Sequence, residues 1–256
     1  MLQRKYEGNP IMSDNYKDIR INCAVNTHDT VSNLIKSNID AKIIDIPSGH
    51  GAFVLRLKDL GFNNITAIDI ENILQIKHDK FLKGDMTKPL PIKDNSTDTL
   101  VCIDGIEHID EQVMFIKEAN RILKKNGELI ISTPNISALR SRWRWFMSGH
   151  HNKCKAPLDE NNPTPLHHIG MISFPELRYL LHTNGFTIKE VATNRIKPIS
   201  WIFAIFIPFT FIYTFFSYKK SGKKGNTSKI NSEIKHIMFS KSILFGETLI
   251  IRALKN

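Results

Sequence analysis

Short apolar runs recur along the chain, each bounded by Gly, Asp or Pro, with helix-like stretches between them. Seven read as strands: residues 41–46 (AKIIDI), 65–70 (ITAIDI), 81–85 (FLKGD), 98–104 (DTLVCID), 127–133 (GELIIST), 186–196 (FTIKEVATNRI) and 247–254 (ETLIIRAL). A continuous apolar run of this length is what a strand covered on both faces leaves in a sequence. Helical signals fall at 30–37, 52–60, 111–123 and 175–184. The 111–123 segment puts Val113, Ile116 and Leu123 on one face, with Lys117, Glu118, Arg121 and Lys124 largely elsewhere. The 175–184 segment has Ser173 as N-cap, Glu176 three residues on and Gly185 as a stop. Strands alternating with crossover helices predict an α/β fold around a parallel sheet.

At 256 residues, the length fits one α/β domain with an extension or two small domains. A composition of 41% hydrophobic and 23% charged residues, with 13 Gly and 11 Pro, excludes collagen-like, low-complexity and wholly disordered chains. Cys23, Cys102 and Cys154 form no CxxC, so neither a disulfide framework nor a zinc ribbon is expected, and a reducing cytoplasmic location fits best. The first twenty residues hold no apolar core of a secretory signal. The net charge of +10 is concentrated. Arg140, Arg142, Arg144, Lys153 and Lys155 run without an intervening acid, and the stretch from Arg195 onward is strongly basic, so a polyanionic partner or an anionic membrane surface comes into question.

The candidate chemistry begins where the first strand ends at Asp45. The DIPSGHG loop that follows, running into a helix, lets a ligand approach backbone at a helix N-terminus. The third glycine of a dinucleotide fingerprint would fall at Val54, which disfavours a nicotinamide or flavin. Asp69 closes the second strand, where a carboxylate can accept from a ribose diol, and Gly84-Asp85-Met86 closes the third. Carboxylates at successive strand ends, with no phosphate-binding cation among them, suit a cofactor carrying adenosine and a positive charge, such as S-adenosylmethionine (SAM).

In order and spacing, KIIDIPSGHG, ITAIDI, GDMTKPLPIKDNSTDTLVCIDGIEHI, RILKKNGELIISTPN and ISFPELRYLLHTNGF resemble the motif series of class I SAM-dependent methyltransferases, of the bacterial kind with a P-S/A-G-x-G loop. The resemblance covers about residues 28–196, with ETLIIRAL resembling the last strand. It implies a Rossmann-like, doubly wound seven-stranded sheet with the last strand antiparallel and helices on both faces. The domain order expected is an N-terminal segment (1–27), the methyltransferase domain (28–197), an apolar and basic insert (198–240) and a closing strand (241–256). By the same resemblance Asp45, Pro47, Gly49 and Gly51 line the methionine part of SAM, Asp69 and Ile70 the ribose, Asp85 and Met86 the adenine, and Asp104 faces the methyl group. Pro47-Ser48 and His50 depart from the usual loop residues.

Glu107 and His108 fall at the methyl-accepting end, where His108 is expected to take a proton from the acceptor. His168 and Arg140 are expected on the acceptor side. No metal is expected: the spacing of His150, His151, Cys154, His167 and His168 matches no standard zinc site. No NPPY-like tetrapeptide follows the fourth strand, so oxygen of a small or lipid-linked acceptor (a surface glycan, a lipid intermediate or a quinone-like phenol) is expected rather than nucleic acid. A non-catalytic SAM-binding protein at the membrane and a nucleic-acid methyltransferase are the alternatives.

Residues 198–218 contain no charge and match a membrane span in length. They lie, however, between two strands of one sheet, and two helical crossings would take about 40 residues. Pro208 also interrupts the stretch. A broken, interface-lying or re-entrant apolar insert at the membrane is expected, flanked by Lys219, Lys220, Lys223 and Lys224, with an oligomer contact or an internal cap as the other readings. The ALRSRWRWFMSG segment, where Trp143, Trp145 and Phe146 interleave with arginines, suits the same interface.

Overall fold

The computed structural model describes residues 15–221 and 225–256, with side chains outside 220–228. Within the N-terminal segment, residues 1–14 therefore lie outside the description, as do the side chains of Lys220, Lys223 and Lys224.

A short hairpin, β1 (Asn15–Tyr16) and β2 (Ile19–Arg20), precedes α1 (Thr27–Leu34). The doubly wound part follows as β3 (Ile43–Asp45), α2 (Ala52–Asp59), β4 (Ile65–Asp69), β5 (Phe81–Lys83), β6 (Thr97–Ile103), a 3-10 turn at Ile106–His108, α3 (Gln112–Ile122) and β7 (Leu123–Pro134). Then come α4 (Leu139–Ser148), α5 (Phe174–Thr183), β8 (Phe186–Ala192), a 3-10 stretch (Pro198–Phe206), α6 (Ile207–Ser221), α7 (Gly225–Met238), α8 (Lys241–Phe245) and β9 (Thr248–Lys255). The seven long-range strands form one sheet in the order β5-β4-β3-β6-β7-β9-β8. Pairing is parallel from β5 through β7, and β9 runs antiparallel to both its neighbours. The expected last antiparallel strand is thus present, inserted between the fifth and sixth.

Alternation along each strand splits the apolar residues between two layers. Ile44, Ile46, Ile68, Leu100, Cys102, Leu129 and Ile131 face α3 and α5, whereas Ile43, Ile65, Ala67, Val101, Ile103 and Ile130 face α1 and α2. Both faces are covered, which explains why the strands read as unbroken apolar runs. In α3 the buried face is Phe115, Ile116, Ala119 and Ile122, and the sequence expectation needs correcting at three positions. Val113 is exposed, Leu123 begins β7, and Glu118 is buried, accepting from Leu90 N (2.6 Å) and pairing with Arg121. A carboxylate can sit there because backbone and guanidinium together supply its hydrogen bonds. The capping box at Ser173 and Glu176 is present.

The apolar insert is helical throughout, and Pro208 sits in the first turn of α6, where a missing N–H costs nothing. The span Pro198–Lys219 is long and apolar enough to cross a membrane, and only 6% of its most apolar window is buried. Its inner side packs on α4 and α8: Trp143 stacks on Phe206 at 4.9 Å and Trp201 meets Phe245 at 4.4 Å. Ile205, Phe209, Tyr213 and Phe216 point outward, and Trp145, Phe146 and Met147 of α4 are exposed as well.

Candidate active site

The loop after β3 is built around conformations that only glycine takes without strain. Gly49 and Gly51 have φ of +50° and +87°, and a Cβ on Gly51 would come within 3.0 Å of the Ile76 and Leu74 side chains. Beneath the loop, Asp45 is 1% exposed and neither of its carboxylate oxygens has a hydrogen-bond partner. Burial, and then the neighbouring charge of Asp69, push its carboxyl well above the usual range. An unpaired buried carboxyl is costly unless a ligand completes it, and the ammonium end of an amino-acid-bearing cofactor has the donors it lacks. Asp69 accepts from Gly49 N and Ile70 N, both at 2.8 Å, so it props the glycine loop while keeping lone pairs for a diol. Ile70 contributes this backbone donor, and its side chain is exposed.

Asp85 is engaged locally. Its Oδ1 accepts from the backbone and hydroxyl of Thr87, and Lys88 pairs with Oδ2 at 3.3 Å. Those bonds, the Thr87 backbone first, hold its carboxyl below the usual range. Met86 is buried in the core layer under α3. Pro47 lies against Gly105, where a Cβ would approach the Pro47 ring to 2.4 Å, so the glycine loop and the turn after β6 interlock.

That turn carries the groups expected from sequence on the acceptor side. Asp104 has a φ of +44°, in the left-handed region that a non-glycine residue occupies at a cost, and such strain gathers at functional sites. Its Oδ1 accepts from Ser132 Oγ at 2.6 Å. Glu107 is 1% exposed and accepts from Thr133 Oγ1 at 3.0 Å; burial, and then Asp104, raise its carboxyl well above the usual range. His108 Nδ1 lies 3.2 Å from the carbonyl of His167. A carbonyl only accepts, so Nδ1 carries the proton and Nε2 keeps its lone pair. Burial lowers the pKa of His108, and it lowers that of His168 to about 4, helped by the charges of His108 and Lys153. The two rings meet edge to face at 4.7 Å, and His168 Nδ1 is buried without a partner. Gly170 N donates to Glu107 O at 2.9 Å, strapping the His167–Gly170 segment over the turn.

Arg140 lies to one side, in the wall of a cavity of about 100 Å³ at the ends of β7 and β9, together with Lys153, Lys155, Lys197 and Glu247. Glu247 pairs there with Lys153, Arg195 and Lys197. The structure therefore brings Asp104, Glu107, His108 and His168 into one corner, with Arg140 in the adjoining cavity. His150, His151 and Cys154 stay apart from that corner, with His151 on Ser141. Sequence reading missed Ser132, Thr133 and Glu247 as partners of these groups. The STP run carried the first two, and nothing in the local pattern marked the third.

A sheet in this order, with a glycine loop over a buried carboxylate and acidic groups at the following strand ends, has the architecture of a class I methyltransferase. Residues 44–131 match the family described as a methyltransferase domain. A probable S-adenosylmethionine-dependent methyltransferase of Mycolicibacterium smegmatis is 29% identical over 103 residues, covering 40% of this chain and 33% of the relative. An uncharacterized protein of Methanocaldococcus jannaschii is 32% identical over 103 residues, covering 39% and 44%. The chain thus matches less than half the length of these curated relatives. Among solved structures, a SAM-dependent methyltransferase of Thermotoga maritima, described as a possible histamine N-methyltransferase, superposes with a TM-score of 0.55 at 20% identity, covering 90% of this chain and 88% of the other. At that identity the likeness speaks for the fold. The stretch 44–131 thus matches the methyltransferase-domain family, and the whole chain has the fold of SAM-dependent methyltransferases of known structure.

Proposed function

We propose that this chain transfers a methyl group from SAM to an oxygen of a small or lipid-linked acceptor, working at the cytoplasmic face of a membrane. The observation that carries the transfer is the orphaned carboxyl of Asp45 under the glycine loop, on the same sheet edge as the Asp104–His108 turn. When bound, SAM supplies a methyl group already activated on a sulfonium. Asp45 and the Gly49–Gly51 backbone then hold the amino-acid end, Asp69 holds the ribose, and the strand edge near Met86 receives the adenine. The corner made by Glu107, His108 and His168, covered by its own strap, positions the acceptor's oxygen and keeps bulk water off it, which is most of what a methyl transfer requires.

The membrane part of this reading is supported by the outward apolar side chains of the 3-10 stretch, α6 and α4, next to basic residues that favour anionic lipid. Both flanks of the apolar stretch return to the same sheet, β8 before it and β9 after it, which favours lying in the interface over a single crossing. Calorimetry with SAM tests the first part. Binding in the micromolar range is expected, and tight NAD binding with no SAM binding would overturn the reading.

A further inference from the structure

We propose that Glu107, His108 and His168 form a binding site for one divalent transition-metal cation, of the manganese, cobalt or zinc kind, at the acceptor end of the pocket. One ligand-capable atom from each residue lies within 4.8 Å of the other two. Two ligands bound at about 2.1 Å to one ion sit roughly 3 to 3.4 Å apart, so side-chain rotations of an ångström or two close the set.

Three observations prepare these residues for a cation. First, two of them have one side already committed. His108 Nδ1 donates to the His167 carbonyl, the outer contact that characteristically orients a metal-binding imidazole and turns its other nitrogen inward, and Glu107 is steadied by Thr133. Second, the corner contains unanswered polar atoms, since His168 Nδ1 is buried with no partner. Third, the carboxyls there have no cation paired with them. Glu107 and the adjacent Asp104 have no ion-pair partner among the described residues, and Lys153, the nearby ammonium, is held on Glu247 at 3.3 Å. Two imidazoles and one carboxylate leave open positions on an ion, the arrangement that selects a divalent first-row metal able to take a further oxygen ligand.

The binding stands on these contacts alone; its role rests on the methyl-transfer reading above. An acceptor hydroxyl filling an open position becomes more acidic. Its proton leaves to solvent, its oxygen forms the new bond to the methyl carbon, and the carbon–sulfur bond breaks with its electron pair kept by sulfur as a neutral thioether. His108 then acts as a ligand and not as the proton acceptor expected from sequence.

The test uses the full chain, stripped with a chelator and titrated with Mn²⁺ while the free-ion resonance is followed, then with Co²⁺ while visible absorption is followed. One ion per chain is expected, with Co²⁺ bands of nitrogen ligation. Glu107→Gln and His168→Ala should each weaken binding at least about 10-fold, and His150→Ala, outside the corner, should leave it unchanged. SAM affinity measured without metal shows that each variant is folded, and His168→Asn replaces the alanine variant if that one is not. Absence of saturable binding, or equal affinity in wild type and the folded His168 variant, overturns the site. Metal binding by a chain that fails to bind SAM would remove the methyl-transfer reading and leave the site standing.

Discussion

Asp69 props Gly49 from below, and in the function proposed above its remaining lone pairs take the ribose, so its replacement should act on both. Asp69→Ala removes charge-assisted bonds of about 1.5 to 3 kcal/mol each, so SAM affinity by calorimetry should fall at least tenfold. The thermal midpoint should fall only slightly, because the core beneath is untouched; unchanged affinity would remove Asp69 from the site. Gly51 acts by shape. A Cβ at φ +87° is strained by about 1 to 2 kcal/mol and also meets Ile76 and Leu74, so Gly51→Ala should lower stability measurably in a denaturant titration and weaken SAM binding with it. Equal midpoints for variant and wild type would show that the loop relaxes.

At the scale of elements, Glu247 ties the start of β9 to the segment after β8 and to the loop carrying Lys153. Its pKa is lowered to about 2: burial opposes ionisation, but the bonds from Lys197 and Arg195 and the charge of Lys153 outweigh it. Because the folded value lies below the unfolded one, near 4.5, this group's stabilisation is fully present above pH 4.5 and is lost as pH falls toward 2. Glu247→Gln should therefore lower the thermal midpoint by several degrees at pH 7, and the gap to wild type should narrow steadily below pH 4.5. A constant gap across that range would show that the carboxylate charge is not what joins these elements. The same cluster gives a reason why the closing strand can follow a long excursion and still dock. Its first residues are pinned by ion pairs, and Asn135 Nδ2 donates to three carbonyls around α8.

At the scale of the whole molecule, the outward apolar side chains and the basic stretches predict vesicle binding that needs both. Flotation should recover the chain with vesicles containing anionic lipid and recover less with neutral ones. Screening acts over about 8 Å at physiological ionic strength, so high salt should reduce binding only in part. Replacing Ile205, Phe209 and Phe216 by Ser should remove most of what remains. These three are chosen because they point outward, whereas Phe206 stacks on Trp143 and would test packing instead. Binding that survives the triple replacement would transfer the exposed face to another partner, such as a second copy of this chain.

The sequence by itself determined the α/β class, the identity of the seven sheet strands and the glycine loop over Asp45, because each rests on local rules. A strand buried on two faces has to be apolar throughout, a capping box lies within four residues, and a positive φ asks for glycine at that very position. Even the family motifs are short and consecutive. The β1–β2 hairpin escaped notice because two-residue strands carry no period. What only the tertiary structure decided is which distant groups meet. His167 lies 59 residues from His108, and the strap that carries His168 is held over the turn after β6 at Gly170, whose N–H donates to Glu107 O and whose carbonyl accepts from Gln112 Nε2, a meeting that no local pattern announces. Glu118 and Glu247 likewise acquire their meaning from partners that folding delivers. Composition says that a carboxylate or an imidazole is present, but its charge, its free lone pair and its ligand depend on what burial removes from water and what packing sets beside it.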